Sequence, residues 1–319
     1  MNWRVIRGWR GLLAAACGAV LLVNGIVTAA SGSAATGAGG ITVRAAEFNW
    51  TAASLTNQIL TDIAGAHPEL GVSQIVSTPL DPAAAWAGAA RGDVDMLTEV
   101  ALPNQQPLAA KARSQVKLID ETYGHAVQGW FVPSYAIQPG QPLAGLKSIT
   151  QLNSYSSALG GRLIDGDPGW VTTQQDVARL KAYHLSLQDT PSGANAELAQ
   201  LTRSYVQHQP FVIYLYEPLW VFAKYKLVQL QEPHPYQDGC FTSAGSQCAI
   251  PTLSAWIGAS GKMAKQAPRF YAMLKHVKIP LLQMEQMLQL TDLEKHSVTS
   301  VAQQWVSAHQ AQISAWITG

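Results

Sequence analysis

From residue 41 onward, short apolar runs alternate with longer amphipathic ones. Residues 41–45 read as a strand, 54–66 as a helix, 72–76 as a strand, 82–90 as a helix and 94–98 as a strand. This rhythm predicts an open, mostly parallel sheet of the α/β class. Gly129-Trp130-Phe131-Val132-Pro133 forms a strand ending in proline, a natural crossover into a second lobe. That lobe holds a helix over 194–208, a strand over 211–216 and a short helix opened by Glu217 and Pro218. Glu232-Pro233-His234-Pro235 breaks the pattern and returns the chain to the first lobe. Helices follow over 262–277, 281–290 and 293–317, the last with an apolar face of Val298, Val301, Trp305, Ile313 and Trp316. The predicted lobes are 41–128 with 232–319, and 129–231. Two crossings imply a hinge and a cleft where small ligands sit.

One stretch organises the second lobe. Leu163 and Ile164 end a strand at Asp165-Gly166-Asp167-Pro168-Gly169, then Trp170, Val171, Thr172 and Thr173 lead into a helix. Free backbone N–H groups at such a terminus bind a small anion, and the Trp170 ring attracts a cation. Side by side they suit a zwitterion. A core tryptophan at a tight turn fits the same residues, and the stretch alone leaves both readings open.

Composition narrows the class. The chain has 319 residues, room for two lobes. A net charge of +1 with 13% charged residues gives no basic field for nucleic acid. Before residue 41, Arg4, Arg7 and Arg10 precede an apolar run over 12–30 and a small-residue segment over 31–40. That order predicts a signal peptide over 1–35, cut between Ala29 and Ala35, with a linker over 36–40. The rival is a retained anchor, since about 18 apolar residues nearly span a bilayer, although Asn24 and Gly25 interrupt the run. Cys17 follows three alanines like a lipid-attachment site, but its apolar stretch is short for one. An exported location predicts that Cys240 and Cys248 pair.

Enzyme signatures are missing. The sequence has no His-Glu-x-x-His and no Gly-x-Ser-x-Gly, and Gly258-Ala259-Ser260-Gly261-Lys262 lacks phosphate-loop spacing. Aromatics offer more. Tyr214 and Tyr216 alternate on one face at the carboxyl end of their strand, where ligands of open α/β sheets bind. Trp220, one helical turn on, reads as core.

Three segments carry a resemblance: Asp167-Pro168-Gly169-Trp170 before a helix, Tyr216-Glu217-Pro218-Leu219-Trp220 with Phe222-Ala223-Lys224-Tyr225, and 129–133. With the ending Trp305-Val306-Ser307-Ala308-His309-Gln310 and Trp316, the chain resembles the glycine betaine/proline betaine substrate-binding proteins of ABC transporters over about 41–319. The resemblance implies the type 2 two-lobed periplasmic-binding fold, no cofactor, no metal and a monomer working with a permease and an ATPase. It places a trimethylammonium head between Trp170 and Tyr216, with a carboxylate on the N–H groups of Val171 and Thr172. Cysteines paired after Pro235 also occur in many members.

One departure stands out. The family's third tryptophan precedes a Leu-Pro or Thr-Pro pair, and in Thr98-Glu99-Val100-Ala101-Leu102-Pro103 the position holds Ala101. Losing a desolvated cation–π contact of about 2 kcal/mol weakens binding roughly thirty-fold. Three compensations are open: another ring (Trp50, Trp86, Tyr123 or Trp130), a bulkier ligand, or Glu99 facing the cleft with its charge. The expected function is an exported binding protein for a quaternary-ammonium solute. A binding protein for another small amine or amino acid, and a secreted enzyme or sensor domain, remain alternatives.

Overall fold

In a computed structural model, the described residues are 40–237, 239–240 and 247–319. The expected signal peptide with Cys17, and the linker apart from Gly40, lie outside them. Two five-stranded sheets form the frame. The first contains β1 (Ile41–Glu47), β2 (Val72–Pro79), β3 (Met96–Leu102), β4 (Val116–Ala126) and β10 (Leu253–Ser260), in the order β2-β1-β3-β10-β4. The second contains β5 (Gln128–Pro133), β6 (Arg162–Asp165), β7 (Gln188–Pro191), β8 (Ile213–Tyr216) and β9 (Leu227–Gln229), in the order β7-β6-β8-β5-β9.

Neither sheet is mostly parallel, contrary to the expectation from the strand–helix rhythm. β1 runs parallel to β2 and β3, but β10 is antiparallel to β3 and β4. Likewise β6 is parallel to β7 and β8, while β5 is antiparallel to β8 and β9. The overlooked strands explain the difference. β4 reads VKLIDETYGHA, too polar to stand out as a buried run, and β10 follows the irregular return segment.

Each sheet is covered on both faces, so alternate residues of one strand enter different cores. Val43 and Ala45 of β1 join one apolar cluster, and Ala46 and Phe48 join another. In the second lobe Trp130 and Val132 of β5 face one cluster and Phe131 the other. Burial on both faces is why the inner strands are apolar nearly throughout.

The α-helices up to residue 288 are α1 (Thr51–Ala66), α2 (Pro82–Arg91), α3 (Gln106–Ala112), α4 (Val171–Ala182), α5 (Ala194–Val206), α6 (Val221–Lys224), α7 (Gly261–Gln266), α8 (Pro268–Met273) and α9 (Leu281–Leu288). The helix expected over 262–277 is broken at Ala267 (φ −133°), because the Pro268 ring disfavours helical geometry in the residue before it. The helix expected over 293–317 starts later and is split. A π-helical turn over Gln289–Leu293 ends α9, Ser297 then caps α10 (Val298–Ala308), and His309 at φ −116° separates α11 (Gln310–Thr318). Glu217 and Pro218 do not open the short helix, which starts at Val221. The Glu217 carboxylate accepts the Val127 N–H at 2.8 Å, tying the end of β8 to the start of β5. Cys240 and Cys248 are joined.

Candidate functional site

Where the carboxyl ends of β1 and β3 face those of β6 and β8, a cavity of about 350 Å³ opens between the lobes, within the usual range for ligand pockets. Two helix N-termini border it, and each is capped by a tryptophan that makes no side-chain cap bond. Trp50 precedes α1 in the first lobe and Trp170 precedes α4 in the second.

The rings form a continuous set. Trp170 meets Tyr216 nearly edge-on (80°, centroids 5.5 Å apart) and meets Trp50 the same way (82°, 6.0 Å). Phe48 stacks behind Trp50 at 4.6 Å, and Tyr214 lies 6.2 Å from Tyr216. Perpendicular faces around one space suit a cation, because each ring offers its negative quadrupole. The Trp170 ring keeps its place by a close approach: a Cβ on Gly166 would fall 2.2 Å from it. Its indole N–H donates to the Asn49 side-chain oxygen at 2.6 Å, across the cleft.

Directly after Trp170 comes the N-terminus of α4. The first N–H groups of a helix have no intrahelical acceptor, and those of Val171 and Thr172 belong to residues lining the cavity. At the first turn of α1 the Asp292 carboxyl hydrogen-bonds the Thr51 side chain, so a carboxyl already stands at that terminus and the α4 terminus is the one better suited to an incoming anion.

β3 supplies the remaining wall. Leu97 pairs with Gly258 and Val100 with Trp256, so two residues, Thr98 and Glu99, oppose Ile257 alone. This is a β-bulge, a device that re-aims side chains beside functional sites. Glu99 sits in it at φ 55°, a left-handed conformation uncommon outside glycine. Its carboxylate is 2% exposed, accepts the Thr56 hydroxyl at 3.0 Å and accepts the Tyr123 hydroxyl. Burial pushes its pKa up to about 7 against the pull of those two hydrogen bonds. Ala101, two residues on, lines the same wall and leaves it shallow.

The seven residues expected from the sequence to meet the ligand all line one cavity: Trp170, Val171, Thr172, Tyr214, Tyr216, Glu99 and Ala101. Tyr214 is buried, its hydroxyl donating to Gln128 at 2.8 Å. Of the rings weighed against Ala101, Trp50 and Tyr123 reach the cavity, while Trp86 and Trp130 are buried in the cores. Trp220 is likewise core. Sequence reasoning passed over Phe48, Asn49 and Asp292. The carboxyl-end rule applied to β1 would have found the first two. Nothing local marks Asp292, which arrives from the far end of the chain.

Two sheets with flanking helices on either side of an aromatic cleft define a solute-binding protein of the two-lobed kind. The family described as the substrate-binding domain of ABC-type glycine betaine transport systems matches residues 41–308, and the chain belongs to it. Solved structures share the fold. A lactococcal protein (OpuAC), closed on glycine betaine, is 23% identical with a TM-score of 0.72, the match covering 86% of this chain and 99% of that one. A choline-binding protein of an ABC transporter in complex with choline is 17% identical with a TM-score of 0.74, covering 87% and 92%. A glycine betaine/L-proline-binding protein from Borrelia burgdorferi is 18% identical with a TM-score of 0.73, covering 86% and 96%.

Proposed function

We propose that this protein is the extracytoplasmic receptor of an ABC importer and that it closes its lobes on a small quaternary-ammonium solute. The ammonium head sits among Trp50, Trp170 and Tyr216, and a carboxylate, where the solute has one, sits on the N–H groups of Val171 and Thr172. The closed complex is then delivered to a permease driven by an ATPase. The protein binds and releases without chemistry. The observation that carries this reading is the ring set itself, with Trp50 from one lobe and Trp170 and Tyr216 from the other converging on one cavity.

In this reading Trp50 takes the part of the ring that is missing at Ala101. It supplies an aromatic face to the first-lobe side of the cleft from the end of β1 instead of from β3. Export follows from the family and from the N-terminal charge pattern. Among the described residues, no helix is long and apolar enough to cross a membrane.

Calorimetric titration with glycine betaine, proline betaine, choline and carnitine tests the proposal. At least one should bind, and Trp170→Ala and Trp50→Ala should each weaken that binding roughly thirty-fold, the value of a desolvated cation–π contact of about 2 kcal/mol. Absence of binding by all four compounds, or tryptophan variants that bind as tightly as the parent, would overturn it.

A further inference from the structure

Three walls of the cleft have their use in the proposed binding mode: rings for the cation, the α4 terminus for an anion, and apolar contacts between. The β3 wall does not. There a carboxylate, an acceptor and nothing else when ionised, stands in a bulge with its backbone held at φ 55°. Glu99 accepts one neutral hydroxyl on each oxygen, from Thr56 and from Tyr123. Ionised, as it is once the pH passes about 7, the carboxylate has about four acceptor sites, so about half of its capacity is left beside the ligand space. Among the described residues lining the cavity there is no Lys, Arg or His to take it up. Glu47, Glu217 and Asp292 also line the cavity, and they add negative charge there.

A permethylated ammonium offers this wall only C–H groups. It gains attraction from the charge but makes no hydrogen bond with the lone pairs that Thr56 and Tyr123 leave free. A ligand with an O–H or N–H beside its cationic centre meets both needs with a charge-assisted hydrogen bond, about twice as strong as a neutral one. Sites built around such a bond reject analogues lacking the donor far more strongly than an apolar pocket rejects a missing methyl group.

We propose that Glu99 is the specificity-determining residue of this cleft and that it selects cargo carrying a hydrogen-bond donor on or next to the ammonium centre. The inference rests on the reading that an ammonium solute binds between Trp50, Trp170 and Tyr216. The bulge is the means: without the extra residue in β3, Thr98 and Glu99 would alternate between faces of the sheet. With it, Leu97 and Val100 stay in the core behind the strand, Thr98 donates to Asn57 at 2.7 Å beneath it, and Glu99 reaches the cavity.

Two matched pairs of compounds test this in calorimetric titrations of the protein at pH 8, where Glu99 is ionised. L-Carnitine and γ-butyrobetaine differ by one hydroxyl. N,N-Dimethylglycine and glycine betaine differ by an N–H in place of a methyl. The parent protein should favour the donor-bearing member of at least one pair by tenfold or more, and the pair that shows it tells O–H from N–H recognition. Glu99→Leu should bring that ratio to within about threefold of unity. Glu99→Gln, which keeps the shape but halves the hydrogen-bond strength, should fall between. Equal or inverted affinities in both pairs, or a ratio unchanged in whichever Glu99 variant folds, would overturn the assignment. If the compounds bind, and Trp170→Ala weakens that binding without any donor preference in the parent, this inference fails and the cage stands. If none binds, both readings fail together.

Discussion

Trp170 donates its indole N–H to Asn49 at 2.6 Å, joining residues 121 positions apart and on opposite lobes. The bond joins the two lobes and its donor is also a wall of the proposed cage, so ring position and the contact between lobes are set by one interaction. Asn49→Ala should weaken binding of the preferred solute about fivefold, the worth of a net hydrogen bond near 1 kcal/mol. The melting temperature of the ligand-free protein should stay within about a degree. Titration together with a thermal melt reads both.

Gly166→Ala should abolish binding in a folded protein. The new Cβ would lie 2.2 Å from the Trp170 ring, a contact that real structures do not tolerate, and nearby atoms of the ring are no more than 3.0 Å away. The indole must leave its position, losing both the Asn49 bond and its approach to Tyr216. Near-ultraviolet circular dichroism of the tryptophans should change while the far-ultraviolet signal persists.

Stability should fall as pH rises from about 4 to above 7. Glu99, facing Thr56 and Tyr123, is raised by burial to about 7, so the folded state keeps a proton that the unfolded chain surrenders near pH 4. The unfolded state then binds fewer protons, and the slope of stability with pH is negative between those values. Full stability is present below pH 4 and is lost as pH passes 7, by on the order of 3 kcal/mol for this group. Asp165, raised by burial and by the charges of Asp176 and Asp189, acts in the same direction, as does buried Asp176. Urea unfolding at pH 5 and pH 8 measures the difference, and Glu99→Gln should reduce it.

Arg179→Met should destabilise the protein by about 3–5 kcal/mol, the cost of stranding buried charges. The guanidinium is 4% exposed, bonds Glu232, donates to the Cys248 carbonyl at 2.6 Å and lies 3.6 Å from Asp176. It thereby ties α4 to the bridged loop after residue 232. Chemical denaturation would show the loss, and a change below 1 kcal/mol would mean that Asp176 and Glu232 are held neutral without it.

Elements with one clean period were legible in the sequence. The strand ending at Asp165, the turn to Trp170 and α4 followed from an apolar run, a Gly-Pro cluster and helical spacing, and they carry much of the site. Tyr214 and Tyr216 were legible because alternation on a strand fixes which side chains share a face. Glu99 was suspected but could not be placed, since a bulge changes the count along a strand without leaving a composition signal. β4 and β10 were missed because their pairing is long-range, with Trp256 opposite Glu121 and Ala255 opposite Tyr123. Asp292 and Asn49 reach the cavity through tertiary packing, which no local pattern encodes.

The strand order of the first sheet also sets a timetable. β10, from residues 253–260, lies between β3 and β4, and the backbone pairing of β4 runs through β10. As the chain is synthesised, all five strands of the second sheet have emerged before the piece that completes the first. The later lobe can therefore close its ladder while the earlier one still waits with β4 detached and an open edge on β3. A polar, weakly apolar β4 is the kind of sequence that can wait in water without sticking to its neighbours.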